Sequence, residues 1–373
     1  MRIAVNTRLL LKNKLEGIGR FSLETLSRMA IAHPEHEFIF IFDRPYDKKF
    51  IFSENIIPVV IGPQARHPFL FVLWFEYSIP YVLKKYKADM LLSPDGFLSL
   101  RCKKPSVVVV HDLNFEHYPK DLPKLVLKYY KYFVPRFIKK AAHIATVSEY
   151  SKQDIITLYG TSAEKISVVY NGVNEVYSPI EESEKQEIKN KYTQGNDYFL
   201  YVGALHQRKN LVNLFKAYDE YKTRHKTSTK LLIVGNKMWW TKSIEQAYHQ
   251  MKHKEEVVFH HHMSTVELKE VYGAATALTY ISYFEGFGIP IIESFACGTP
   301  VITSNVTSMP EVAGDAALII DPFNIDQISK ALYTIETDTA LRQKLIEAGL
   351  KRQKDFSWDL SAAKLWKILS KYL

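Results

Sequence analysis

The sequence predicts an α/β protein of two successive domains, each a parallel sheet covered by helices. Three observations carry this. Short apolar runs alternate with longer amphipathic segments along the whole chain. The series of runs restarts after a polar interruption at 178–197 (SPIEESEKQEIKNKYTQGND). At 373 residues, 47% of them hydrophobic, the chain has length and apolar material for two cores.

Each strand follows from its run. In the first half these are RIAVN (2–6), EFIFIF (37–42), IIPVVI (56–61), MLLSP (90–94), SVVVVHD (106–112), HIATVS (143–148) and ISVVYNG (166–172). The 107–110 stretch is valine at every position, as a strand covered on both faces requires. The second series is YFLYVGA (198–204), KLLIVG (230–235), VVFHH (257–261), ALTYIS (277–282), PVITSN (300–305) and AALIID (316–321). The 178–197 stretch reads as a linker with a short helix around 184–192, so the domains are expected at 1–175 and 176–357. The last segment, 358–373, spaces Leu360, Leu365, Ile368 and Leu369 as a helix does and is expected to pack back on the first domain.

Composition narrows the function. Cys102 and Cys297 are too few for a disulfide framework or a tetrahedral zinc site, and fit a reducing compartment. MRIAVNTRLLL reads as a first strand rather than a signal peptide, so a cytoplasmic location is expected. The most apolar run, PFLFVLWF (68–75), is far short of the ~20 residues of a membrane-spanning helix. The +9 net charge is uneven: residues 1–175 carry 25 Lys+Arg against 17 Asp+Glu, the rest 24 against 23. An anionic partner, nucleic acid or a lipid surface, is therefore expected at the first half.

In open α/β sheets, ligands bind beyond the carboxyl ends of strands, which directs attention to four segments. Gly17 and Gly19 precede a helix whose N-terminal NH groups could face a phosphate. His111 ends the valine strand and could exchange a proton or bind a polar ligand. Arg208 and Lys209 lie just before a helix, a pairing suited to a diphosphate. In YFEGFGIPIIESFACGTPV (283–301), seven residues separate Glu285 from Glu293, Gly286 and Gly288 occupy the loop, and Pro290 suits a first helical turn. Two such carboxylates suit two polyols at opposite ends of a ligand.

EGFGIPIIESFACGTPV resembles the E-x7-E signature of retaining, nucleotide-sugar-dependent glycosyltransferases of family four, which have the GT-B fold of two Rossmann-like domains facing across a cleft. The resemblance extends through TRLLLKNKLEGIGRF, VVVVHDLNFEHYP, ATVSEYSKQDI, VVYNGVNEVYSP, YVGALHQRKNLVNLFKAY and LLIVG, in order. It implies that Glu293 binds the ribose, and that Glu285 with Gly286, Phe287 and Gly288 holds the donor sugar. It implies that Arg208 and Lys209 neutralise the leaving diphosphate, that Gly17 and Gly19 approach that diphosphate, and that His111 faces donor sugar and acceptor. The base would lie near His262 and Met263.

The implied reaction transfers a hexose, mannose above others, from a GDP- or UDP-sugar with retention to a glycan or lipid-linked acceptor in polysaccharide or lipopolysaccharide synthesis. No cofactor and no divalent metal are expected, since no Asp-x-Asp triplet occurs in the sequence. Two features depart from the pattern: Ala204 stands where many members have arginine, and His260, His261 and His262 replace a Gly-aromatic-Val segment. The His triplet is not expected to bind metal, because successive residues of an extended segment point to alternate sides. KLVLKYYKYFVPRFIKK (124–140) has the composition of an interfacial helix, and with Trp74 and its apolar neighbours it offers a surface for anionic lipid at the inner membrane face. The alternatives are a nucleic-acid-binding protein using the basic half, which leaves both glutamates unexplained, and a catalytically silent nucleotide-sugar-binding homologue.

Overall fold

The computed structural model describes residues 1–12, 15–237 and 240–372. It divides into two compact units, Met1–Gly172 with Ser357–Leu373, and Val173–Phe356.

In the first unit the strands are β1 (Arg2–Asn6), β2 (Glu37–Phe42), β3 (Ile56–Val60), β4 (Met90–Ser93), β5 (Ser106–Val110), β6 (His143–Thr146) and β7 (Ile166–Val168). They form one parallel sheet in the order β3-β2-β1-β4-β5-β6-β7. The chain runs outward from β1 to β3, then returns to β4 on the other side of β1. The carboxyl ends of β1 and β4 therefore flank the switch point at which α/β sheets bind ligands. β5 is buried along its whole length, as its valines require. The helix Gly17–Ala32 buries Phe21, Thr25, Leu26, Met29 and Ala30 at helical spacing, and Gly19 lets it close on the preceding loop, where a Cβ would lie 2.8 Å from the Leu9 carbonyl oxygen.

The helix Trp358–Leu369 belongs to this unit. Asp359 meets Arg28 at 2.6 Å, Trp366 stacks on His33 with ring centroids 3.7 Å apart, and Trp358 packs on Phe21. Its backbone lies so close to Gly172 that a Cβ there would stand 2.3 Å from the Trp358 amide nitrogen.

One expectation is overturned here. Trp74 is completely buried, and its indole NH donates to the Ile61 carbonyl at 3.0 Å. The apolar run that holds it forms the helix Pro68–Leu73 and a π-helical turn, Trp74–Ser78, whose Phe71, Trp74 and Phe75 build the core. Trp74 cannot meet lipid. The helix Lys124–Lys140 likewise turns Tyr129, Val134, Phe137 and Ile138 inward, and exposes Leu125 and Tyr132 among its cations.

The second unit holds β8 (Tyr198–Val202), β9 (Lys230–Val234), β10 (Val257–His260), β11 (Ala277–Tyr280), β12 (Val301–Ser304) and β13 (Ala317–Ile320). Their order is β10-β9-β8-β11-β12-β13, all parallel, so this sheet switches direction between β8 and β11. The polar stretch that reads as a linker is this unit's first helix, Glu182–Thr193, closed by a capping box between Glu181 and Glu184. It buries only Ile188, Tyr192 and Thr193, which accounts for its weak apolar periodicity. Among the described residues no helix is long and apolar enough to cross a membrane.

Candidate active site

Three charged side chains meet at strand ends at the switch point of the second unit. After β8 the chain makes a single tight turn, Gln207–Lys209, opened by the His206 ring accepting from the Arg208 amide. Asn210 then adopts a left-handed conformation, φ 65°, and its side-chain amide donates to the carbonyls of Ile281 (3.1 Å) and Pro322 (2.6 Å). This anchor reverses the chain into the helix Leu211–His225 and aims Arg208 and Lys209 at the end of β11. Backbone approach is equally close nearby: a Cβ on Gly235, after β9, would sit 2.0 Å from the Gly203 carbonyl oxygen. The Tyr201 hydroxyl fixes the same loop by donating to the Ala204 carbonyl at 2.9 Å.

Arg208, Lys209 and Glu285 come together there. Lys209 Nζ lies 2.6 Å from Glu285 Oε1, and an Arg208 guanidinium nitrogen lies 3.2 Å from Glu285 Oε2 and also donates to the Phe284 carbonyl. The side chains of Glu285 and Lys209 are 8% and 10% exposed, whereas Arg208 keeps 25%. Burial by itself would raise the Glu285 carboxyl, but the two cations outweigh it and hold the group below its usual range. Glu285 is therefore an anion, and the cluster carries a net positive charge. Its backbone is held as well: the Glu285 amide donates to Thr307, and the Ser308 hydroxyl donates to the Glu285 carbonyl at 2.9 Å.

The loop beyond Glu285 is buried through Gly286, Phe287 and Gly288. Gly288, at φ 104°, is the residue from which the helix Ile289–Ala296 departs, a conformation that favours glycine. Pro290 sits in its first turn as expected. Glu293 is buried in the middle of this helix and accepts from the Tyr272 hydroxyl at 3.0 Å. Burial, with Glu293 nearby, pushes the Tyr272 phenol well above its ordinary value, so it remains a donor. His262 is exposed and Met263 buried, immediately before the helix Thr265–Gly273. His260 packs edge-on against Tyr192. Among the described residues no group of three or more His, Cys, Asp or Glu side chains is placed to hold a metal ion.

In the first unit His111 follows β5, with Nε2 2.8 Å from the Pro94 carbonyl oxygen and its ring edge-on to Phe21. Burial lowers its pKa, so the ring is neutral near pH 7. A carbonyl only accepts, so the proton sits on Nε2 and Nδ1 is the basic nitrogen. The helix that carries Phe21 starts at Gly17, where an added Cβ would meet open space. Gly19 has the packing role described above. Residues that the sequence patterns did not single out are Tyr280, Tyr272, Thr307 and Ser308. Each is a hydroxyl that fixes a charged or loop group, and the readable trace was a Ser/Thr-rich stretch past β12 and a tyrosine ending β11.

Residues 16–176 match the model described as Glycosyltransferase Family 4, and residues 182–352 the model of Glycosyl transferases group 1. The chain is 29% identical over 360 residues to O-antigen chain mannosyltransferase B of Escherichia coli, covering 94% of both chains. It is 34% identical over 295 residues to O-antigen chain mannosyltransferase RfbU of Salmonella typhimurium, covering 78% of each. The crystal structure of Anabaena Alr3699/HepE in complex with UDP and glucose superposes with a TM-score of 0.78 at 16% identity, covering 99% of both chains. Two parallel-sheet domains of this kind are the GT-B fold, and the chain belongs to glycosyltransferase family four.

Proposed function

We propose that this glycosyltransferase moves a hexose, mannose first, from a nucleoside diphosphate sugar to a glycan or lipid-linked acceptor, with retention, in polysaccharide or lipopolysaccharide synthesis. The observation that carries the reading is the Arg208–Lys209–Glu285 cluster, with Lys209 and Glu285 buried and Arg208 partly open, at the switch point between β8 and β11. Preorganised cations in a water-poor site stabilise charge that grows on a leaving diphosphate, an effect that is usually the largest single one in such catalysis. They supply this charge without a divalent metal. Glu285, already ionised, cannot act as an acid. In this reading it and the backbone of Gly286, Phe287 and Gly288 hold the donor sugar, and Glu293 takes the ribose, with His262 and Met263 on the base side. On the first unit, the proposed roles are phosphate contact for the backbone of Gly17 and Gly19, and a sugar-hydroxyl contact through Nδ1 for neutral His111. The mannose assignment rests on the names of the two relatives.

The acceptor belongs to the first unit in this proposal, and its charge favours a partner bearing phosphate. Residues 1–172 with 357–373 carry 28 Lys+Arg against 17 Asp+Glu, a balance of +11. Exposed Leu125 and Tyr132 on the helix Lys124–Lys140, and Phe69, Tyr77 and Tyr81 on the neighbouring helical segments, would meet anionic lipid on the inner membrane face. Neutralising Lys128, Lys131 and Lys139 together should weaken binding to anionic vesicles while leaving nucleotide binding intact.

A thermal-shift panel of UDP, GDP, CMP and their sugars tests the donor site, since a ligand at about 100 times its dissociation constant stabilises by about 2.7 kcal/mol. A shift with one nucleoside diphosphate and its sugar is expected; no shift with any would sink the proposal. The anomeric configuration of the product, read by NMR, tests retention, and unchanged turnover in EDTA tests metal independence.

A further inference from the structure

Lys209 has a second neighbour whose chemistry the transfer does not by itself require. Tyr280 closes β11 and is buried. The Lys209 ammonium donates to its hydroxyl oxygen at 2.5 Å, and Nζ lies 4.7 Å from the centre of its ring. Burial raises this phenol far above its ordinary value, with the Glu285 charge adding to the effect. The hydroxyl therefore keeps its proton and serves the ammonium as a neutral acceptor.

A lysine ammonium is a compact charge on a four-carbon stem, free to rotate about its last bond. One ionic partner fixes its distance but not the direction of its protons. The ion pair with Glu285 Oε1 at 2.6 Å holds the distance, and the Tyr280 oxygen, accepting a hydrogen bond at 2.5 Å, adds the direction. Arg208, by contrast, is oriented by two bonds from one nitrogen of its planar guanidinium, to Glu285 Oε2 and to the Phe284 carbonyl.

We infer that Tyr280 is a positioning residue for the proposed transfer, acting through Lys209: its phenol oxygen and Glu285 together set where the Lys209 ammonium presents charge to the departing diphosphate. This rests on the donor-site reading above. The phenol makes no contact with the reacting atoms and moves no proton. Its contribution is greatest when negative charge has accumulated on the diphosphate, so it should be felt in kcat more than in KM.

The test is Tyr280→Phe, which removes the oxygen and keeps the ring and its volume. Release of nucleoside diphosphate from GDP-mannose or UDP-glucose is followed in wild type, Tyr280→Phe, Lys209→Ala and the double variant. Tyr280→Phe should lower kcat on the order of tenfold, the effect of one hydrogen bond to a charged group, with KM within about twofold. The alkaline limb of its kcat–pH profile should move to lower pH, because the ammonium has lost an acceptor that favours its charged form. In the Lys209→Ala background the same substitution should change nothing further. Wild-type kcat and an unmoved alkaline limb in Tyr280→Phe would overturn the inference alone. So would additivity with Lys209→Ala, or a kcat loss explained by unfolded protein in a thermal melt. No release from any nucleotide sugar by the wild type would overturn the donor-site reading and this inference with it.

Discussion

The same device stands at both switch points, and the two copies differ in what they leave open. In the first unit Arg8, just after β1, pairs with Asp95, just after β4, at 2.5 Å. In the second, Arg208 after β8 pairs with Glu285 after β11. The first pair is sealed: its side chains are 9% and 2% exposed, and the guanidinium lies 4.9 to 5.6 Å from the centres of the Phe71, Phe75 and Phe97 rings and donates to the Ala65 carbonyl. The second keeps a partly exposed guanidinium, and Lys209 adds a second positive charge to the single carboxylate. A buried pair with matched charges holds loops together; a pair with surplus positive charge and an open side can also hold an anion. Net charge differs in the opposite sense. The first unit carries +11, while the second, with 21 Lys+Arg against 23 Asp+Glu, carries −2 and still brings Arg208 and Lys209 together at one carboxylate.

Breaking the sealed pair should cost the most stability. Asp95→Ala leaves the Arg8 charge buried without its partner and should destabilise the protein by about 3–5 kcal/mol, read as a lowered urea midpoint. Arg208→Ala should do the reverse, with a small change in midpoint and at least about a hundredfold loss of turnover, the scale for removing one preorganised stabilising group. Equal stability losses at the two positions would erase the distinction between them. Glu293→Ala should weaken nucleotide binding, whereas Glu285→Gln should mainly reduce transfer. Tyr272→Phe, which takes one donor from Glu293, should weaken nucleotide binding by roughly tenfold, from loss of a single hydrogen bond to a charged group.

Smaller effects separate the units by pH and reactivity. His143 in the first unit donates to or accepts from Ser167 at 2.9 Å, and burial, with Lys371 and Lys165 nearby, lowers it from 6.5 to about 4. Its neutral form is the folded one. Stability should therefore fall as pH drops below 6.5 and level off near 4, by at most about 1.4 kcal/mol per pH unit. His143→Gln should flatten that part of the curve. In the second unit burial pushes the Cys297 thiol up to about 12, and Glu293 adds to the shift. Native protein should resist a thiol reagent at Cys297 until it is unfolded.

The strands were legible because a parallel sheet covered on both faces writes its interior as apolar runs. All of the runs read from the sequence contain strands, and their polar carboxyl ends, such as His111-Asp112, fall past the last paired residue. Arg208, Lys209 and Glu285 were legible as residue types beside glycines and helix starts. Their mutual pairing was not, because it joins residues 76 and 77 positions apart through a sheet order that local pattern does not encode. Tyr280 and Tyr272 were hidden for another reason: a buried tyrosine in a strand run or on a helix's inner face reads as any aromatic does, and only its partner shows that the hydroxyl matters. Trp74 was misplaced because an apolar aromatic run has the same composition whether it faces lipid or core. Burial against Phe75, with its indole NH on the Ile61 carbonyl, decides for the core.

The proposal that Arg208 and Lys209 hold a diphosphate is tested most directly by a calorimetric titration of GDP, UDP and their sugars into wild type, Arg208→Ala and Lys209→Ala. The wild type should bind at least one nucleoside diphosphate, and each substitution should weaken that binding by roughly tenfold or more, as loss of a charge-assisted contact does. Equal affinity in wild type and both variants would contradict it.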